Sequence, residues 1–103
     1  MAVAELFRAL GDHTRLEMVR RLSDGDSYTI TTLSNGLDVT RQGARKHLQT
    51  LADAKIVTLQ PKGRDTIVLL DWQTLERSKA FIVELEQRWD ARLEALRQFV
   101  DGE

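Results

Sequence analysis

The sequence predicts a mainly α-helical chain carrying one β-hairpin, and three observations predict it. Apolar residues recur at one-face helical spacing, beginning with Val3, Leu6, Phe7 and Leu10. Two stretches rich in β-branched and large aliphatic residues, Val57 to Gln60 and Asp65 to Leu70, flank Pro61-Lys62-Gly63-Arg64, a proline and glycine turn. A basic helix start at Thr40 follows the Asn35-Gly36 stop after only Leu37-Asp38-Val39. In order, these give four helices, two strands and a fifth helix: a winged helix-turn-helix as a single domain over 1–103.

Each element has its own signals. The first helix ends at Gly11, and Asp12 offers an N-cap carboxylate to a second helix, which Leu16, Val19 and Leu22 carry toward Gly25. Turn formers cluster from Ser23 to Ser27, after which Thr29 can cap a short third helix with Ile30 and Leu33 on one face. Thr40 caps the fourth helix, expected over 40–54, whose inner stripe of Ala44, His47, Leu48 and Leu51 is spaced i, i+3, i+4, i+7. The wing follows over 58–70. Asp71 then caps a long last helix in which Leu75, Ile82, Leu85, Trp89, Leu93, Leu96 and Val100 form one seam, too long to bury on so small a body.

The net charge of -1 conceals an asymmetry. From Gly36 to Arg64 six Lys or Arg face two Asp, whereas from Asp71 to Glu103 eight acids face five bases. On the fourth helix Arg41, Gln42, Arg45, Lys46 and Gln49 avoid the core stripe and share the opposite face. Such a face suits the major groove of duplex DNA, where Arg and Lys pair with guanine edges and Gln with adenine. Lys62 and Arg64, flanking Gly63 at the hairpin tip, could reach phosphate or a narrow minor groove beside it. Gln42, Arg45 and Arg41 are therefore expected at bases, and Thr40, Lys46, Lys62 and Arg64 at phosphates. The alternative is a winged helix serving as a protein-protein interaction module, its basic face merely solvated.

The order GDHTRLEMVRRL, then ITTLSNGLDVTRQGARKHLQTLADAKIV, then KGR resembles the ArsR family of bacterial winged helix-turn-helix repressors over nearly the whole chain. The closing WDARLEALRQF is similar to the tail of a branch that does not sense metals. The resemblance implies a transcriptional repressor; the absence of cysteine and of a membrane span suits a cytoplasmic protein, and pairing of two chains through the apolar last helix predicts a homodimer on an inverted-repeat operator. The DNA-reading part would span about 29–70, and the dimerisation helices about 2–10 and 72–100. Leu6, Phe7, Leu10, Ile82, Leu85, Trp89, Leu93 and Leu96 are the expected dimer contacts. His13 stands where relatives commonly carry proline, and Gly43 where alanine is usual, at about 1 kcal/mol of helix propensity. Gly43 would either let the helix approach DNA closely or reflect neutral drift.

Other classes are disfavoured. Cysteine is absent, the last helix has no His, and the third helix reads Thr31-Thr32-Leu33-Ser34-Asn35. Carboxylates alone make a poor transition-metal site, so no metal and no cofactor is expected. His47 reads as a half-buried structural imidazole and His13 as exposed. Neither has a serine or carboxylate partner identifiable from spacing, and no phosphate loop or nucleophile elbow occurs, so no enzyme is expected. Trp89 reads as dimer core, with Trp72 packed at the start of the last helix. No apolar run approaches the roughly 20 residues of a membrane span. A small-molecule effector stays open and unnamed.

Overall fold

A computed structural model describes residues 2–102; Met1 and Glu103, the ends of the single domain expected over 1–103, lie outside the described residues. The elements are α1 (Ala2–Leu10), α2 (His13–Leu22), β1 (Tyr28–Thr29), α3 (Ile30–Ser34), α4 (Arg41–Asp53), β2 (Val57–Lys62), β3 (Asp65–Leu70) and α5 (Trp72–Asp101). This is the winged helix-turn-helix order, with one strand more than the sequence suggested. Tyr28 and Thr29 pair antiparallel with Val68 and Ile67, making a sheet of order β1-β3-β2. Two residues are too few to display a period of two. The Tyr28 hydroxyl also donates to the Asp24 carboxylate, which lowers the Asp24 pKa and raises that of the phenol.

Capping side chains set the helix starts. Asp12 accepts from the Arg15 N–H, Thr40 from the Gly43 N–H, and Asp71 from the N–H groups of Gln73 and Thr74. Thr29 and Thr32 form a reciprocal capping box on α3. The second helix stops at Leu22, short of Gly25, where Ser23 closes it through bonds to the carbonyls of Val19 and Arg20.

The hairpin is tighter than its turn signals suggested. Pro61 lies inside β2, opposite Thr66, and Lys62 pairs with Asp65, leaving Gly63 and Arg64 as a two-residue connection. Because β2 is an edge strand, the missing Pro61 N–H does not interrupt the sheet. Gly63 takes φ +62, the positive value that a primed hairpin turn needs at its first central position.

The core joins Leu6 and Ala9 of α1, Met18 and Leu22 of α2, and Leu33 of α3 to Ala44, Leu48 and Leu51 of α4, with Ile56, Val57 and Val68 beneath. Two residues are placed differently from expectation. Leu16 is 50% exposed, because α2 turns Met18 and Leu22 inward instead. Leu6 is 1% exposed: its side chain is taken up by the protomer's own core and is not free for a dimer contact. Truncating a buried leucine such as Leu48 to alanine costs about 2–5 kcal/mol.

The last helix leaves this body. Its 30 residues rise about 45 Å, and beyond Lys79 its side chains are exposed. The chain measures 70 × 25 × 25 Å with a radius of gyration of 18.7 Å, against about 13 Å for a compact chain of this length.

Helix α4 ends in a Schellman motif. The Ile56 N–H donates to the Leu51 carbonyl at 2.9 Å and the Lys55 N–H to the Ala52 carbonyl at 2.9 Å, which puts Lys55 at φ 63. A Cβ in the left-handed region costs about 1 kcal/mol or more, so Lys55→Gly is expected to stabilise the fold by about 1 kcal/mol. Urea unfolding measures it, and an unchanged or lower midpoint contradicts the assignment of strain to this residue.

Candidate nucleic-acid interface

The candidate interface is built where α3, α4 and the β2–β3 wing meet. Burial of Ala44, Leu48 and Leu51 turns the opposite face of α4 outward, so Arg41, Gln42, Arg45, Lys46 and Gln49 are all exposed. Of these, Gln49 is engaged within the helix, its amide donating to the Asp53 carboxylate at 2.9 Å. Thr40, Lys62 and Arg64 are exposed as well. Among the described residues no carboxylate lies within ion-pair distance of Arg41, Arg45, Lys46, Lys62 or Arg64. These cations are left to solvent or to a ligand.

Three of them converge. Arg41 and Arg45, one helical turn apart, line a single cleft with Arg64 from the wing tip. The start of α3 supplies Thr29, Ile30 and Thr31 to the same cleft, and β3 supplies Asp65 and Thr66. Gln42, Lys46 and Lys62 are not part of this lining. The contributions of Thr31, Asp65 and Thr66 could not be seen in the sequence, because they depend on the β1–β3 pairing that brings β3 beside the start of α3.

Gly43 has an intramolecular role. A Cβ there would lie 2.9 Å from Val39 Cγ2 and 3.0 Å from Thr40 Oγ1, the hydroxyl that caps α4. The glycine lets the cap and the preceding turn close on the helix, a packing reason for its place that the sequence did not show.

Two arginines of α2 hold the unit in place, and spacing gave no hint of either. Arg21 donates to the carbonyls of Leu33 at 2.9 Å and Asn35 at 2.6 Å, gripping the end of α3. Arg15 donates through Nε to the Ala9 carbonyl at 2.6 Å and through Nη1 to His47 Nδ1 at 3.0 Å. His47 is half-buried as expected, yet it does have a carboxylate neighbour: Asp12 Oδ2 lies 3.9 Å from Nδ1. The Arg15 backbone N–H holds the Asp12 carboxyl below the ordinary carboxylate value, aided by the charges of His47 and Arg15 and opposed by desolvation.

On α1 and α5 Phe7, Ile82, Leu85, Trp89, Leu93 and Leu96 are exposed, and Leu10 is half-buried. Trp89 is 62% exposed, and Phe99, which the seam pattern omitted, reaches 79%. Trp72 is 55% exposed and does not pack at the helix start. Phe81, also omitted, meets Phe7 with ring centroids 5.9 Å apart at 59°, docking α1 on α5.

Residues 10–60, the stretch from the end of α1 through α4 into the wing, match the family of helix-turn-helix domains. An uncharacterised HTH-type transcriptional regulator, YuzN, of Bacillus subtilis (strain 168) is 34% identical over 77 residues, covering 69% of this chain and 84% of the relative. An ArsR-like transcriptional regulator from Rhodococcus sp. RHA1 superposes with a TM-score of 0.80 at 28% identity, over 95% of this chain and 92% of that one. The crystal structure of an ArsR family transcriptional regulator superposes with a TM-score of 0.81 at 25% identity, over 86% and 91%.

The chain belongs to the ArsR family. It is a transcriptional regulator with a helix-turn-helix DNA-binding domain, and ArsR-family regulators are not enzymes. Among the described residues no helix is long and apolar enough to cross a membrane, and no three His, Asp or Glu side chains gather as a metal set.

The Asp12 charge should be visible in stability. A carboxyl depressed by folding contributes fully above its unfolded pKa of about 3.9 and loses that contribution as pH falls through the folded value. Asp12→Asn keeps a capping oxygen and loses the charge. Its Tm should fall below wild type at pH 7, and the gap should close as pH falls below the unfolded value and through the lowered folded one. A gap that persists at pH 2 would show that the charge contributes nothing.

Proposed function

We propose that this ArsR-family protein is a homodimeric repressor that binds an inverted-repeat operator through the outer face of α4 and the wing. The DNA-reading part would be 29–70, and the dimerisation helices 2–10 and 72–100. The observation that carries the reading is the meeting of Arg41 and Arg45 with Arg64 around one cleft, none of them ion-paired among the described residues. Cations drawn from two elements 19 residues or more apart in sequence make a surface matched to a polyanion. Thr40, Lys46 and Lys62 extend it on either side, and Gln42 projects from the same helix face toward base edges.

The dimer rests on a separate argument. A protruding helix bearing Ile82, Leu85, Trp89, Leu93 and Leu96 exposes an apolar stripe that water disfavours, at about 25 cal/mol per Å². A second copy about a twofold axis covers it with the same stripe. Phe7 of α1 meets Phe81 at the base of that helix and Leu10 is half-buried, while Leu6 stays inside the protomer. Twofold symmetry would set two α4 helices at successive major grooves about 34 Å apart, which fits an inverted repeat. Occlusion of polymerase by a dimer on such a site gives repression.

Fluorescence anisotropy on the duplex upstream of the protein's own gene, beside a scrambled duplex, tests the DNA reading. Tight binding to the upstream duplex alone is expected, weakened on Arg45→Ala. With about six phosphates neutralised, log affinity should fall with log salt at a slope near -5, and a flat dependence counts against the reading. For the dimer, Trp89→Glu should elute as a monomer in light-scattering chromatography with an unchanged circular dichroism spectrum. Its DNA affinity should drop at least tenfold; a dimeric variant would remove α5 from the interface.

A further inference from the structure

The cleft itself is more specific than a basic surface, and, resting on the DNA-binding reading above, we infer that it seats one phosphodiester of the DNA backbone, gripped jointly by Arg41, Arg45 and Arg64. A guanidinium presents parallel N–H donors to two oxygens of a phosphate, and a diester group offers two unesterified oxygens. Three such forks around one recess exceed what a single base edge can use. A guanine edge presents only N7 and O6 as neighbouring acceptors, so it satisfies one arginine. The rest of the lining agrees: Thr31 and Thr66 bring hydroxyls, which commonly contact phosphate oxygens. Asp65 is the one acid in the lining, so three cations stand against one carboxylate.

The seat is composite. Arg41 and Arg45 come from α4, Arg64 from the turn after β2, Thr31 from α3, and Asp65 and Thr66 from β3. A phosphate held there fixes the wing and the recognition helix in one register on the backbone. It also reassigns three residues: Arg41 and Arg45, expected at base edges, serve the backbone, and Lys46, expected at phosphate, is left with Gln42, both exposed on α4 outside the cleft, to read bases.

Counterion release separates this arrangement from three independent contacts. Each neutralised phosphate contributes about 0.9 to the slope of log affinity against log salt. Anisotropy titrations on a fixed-length duplex over a salt series would compare wild type, each single Arg→Ala variant and the triple variant, with circular dichroism melts to confirm folding. A shared seat predicts that the triple variant loses about 0.9 of slope per protomer, and that Asp65→Asn tightens binding. A loss of about 2.7 per protomer overturns the shared seat while leaving the DNA-binding reading intact. An unchanged slope in the triple variant overturns it too. If wild-type binding alone then weakens when inorganic phosphate replaces chloride at fixed ionic strength, the cleft belongs to a free anion. A salt-independent wild type removes the DNA-binding reading as well.

Discussion

The structure depends on one constraint, the burial of Ala44, Leu48 and Leu51 along a single face of a 13-residue helix. Positions spaced i, i+4, i+7 leave an opposite face that must be polar, and in α4 that face begins with Arg41, Gln42 and Arg45. Leucine truncation in this stripe would cost about 2–5 kcal/mol, a large share of the roughly 5–15 kcal/mol that holds a domain folded. The direction of the exposed basic face is thus fixed by the side chains buried beneath it. Rotation of α4 about its axis is further opposed at the edge of the stripe, where Arg15 ties His47 to the Ala9 carbonyl.

A second consequence of chain length appears in α5. A body of this size can cover the beginning of a 30-residue helix, and it does so with Phe7 against Phe81 and with Leu75 packed on the core. Beyond that start, the remaining apolar residues of α5 are exposed. The surface ion pairs there, Arg88 with Glu84 and Arg97 with Glu94, are exposed and contribute little. Their use is to keep the faces flanking the seam polar, which restricts what the helix can pair with.

Most of the fold was legible because its signals are local. Asp12, Thr29, Thr40 and Asp71 cap helices through bonds reaching two or three residues ahead, and the α4 stripe repeats within seven residues. Strand β1 was not legible: a two-residue element exists only through its partners Val68 and Ile67. Leu16 and Leu6 were misplaced for a related reason. Period shows that a helix has an apolar face, whereas the boundary of that face is set by which neighbours arrive, here those that cover Met18 and Leu6. Of the candidate site, the basic residues of α4 and the wing tip were legible as types, while their convergence with Thr31 and Thr66 on one cleft required the sheet.

The helix-turn-helix unit is also less independent than its position in the sequence suggests. A five-residue helix cannot persist by itself, since one turn barely offsets the cost of nucleation. What holds α3 is the fully buried Leu33 and the Arg21 guanidinium on its last carbonyls, both supplied or met by α2. A cation at a helix C-terminus is favourable, and here it also ties the turn leading to α4 through the Asn35 carbonyl. The approach of α3 to α4, and with it the width of the cleft, is therefore inherited from α2. Arg21 reaches the Leu33 and Asn35 carbonyls from another helix, so a change there would loosen the end of α3 and the turn that leads to α4. The geometry of the helix-turn-helix unit is therefore set by its second helix as well as by the packing of its fourth.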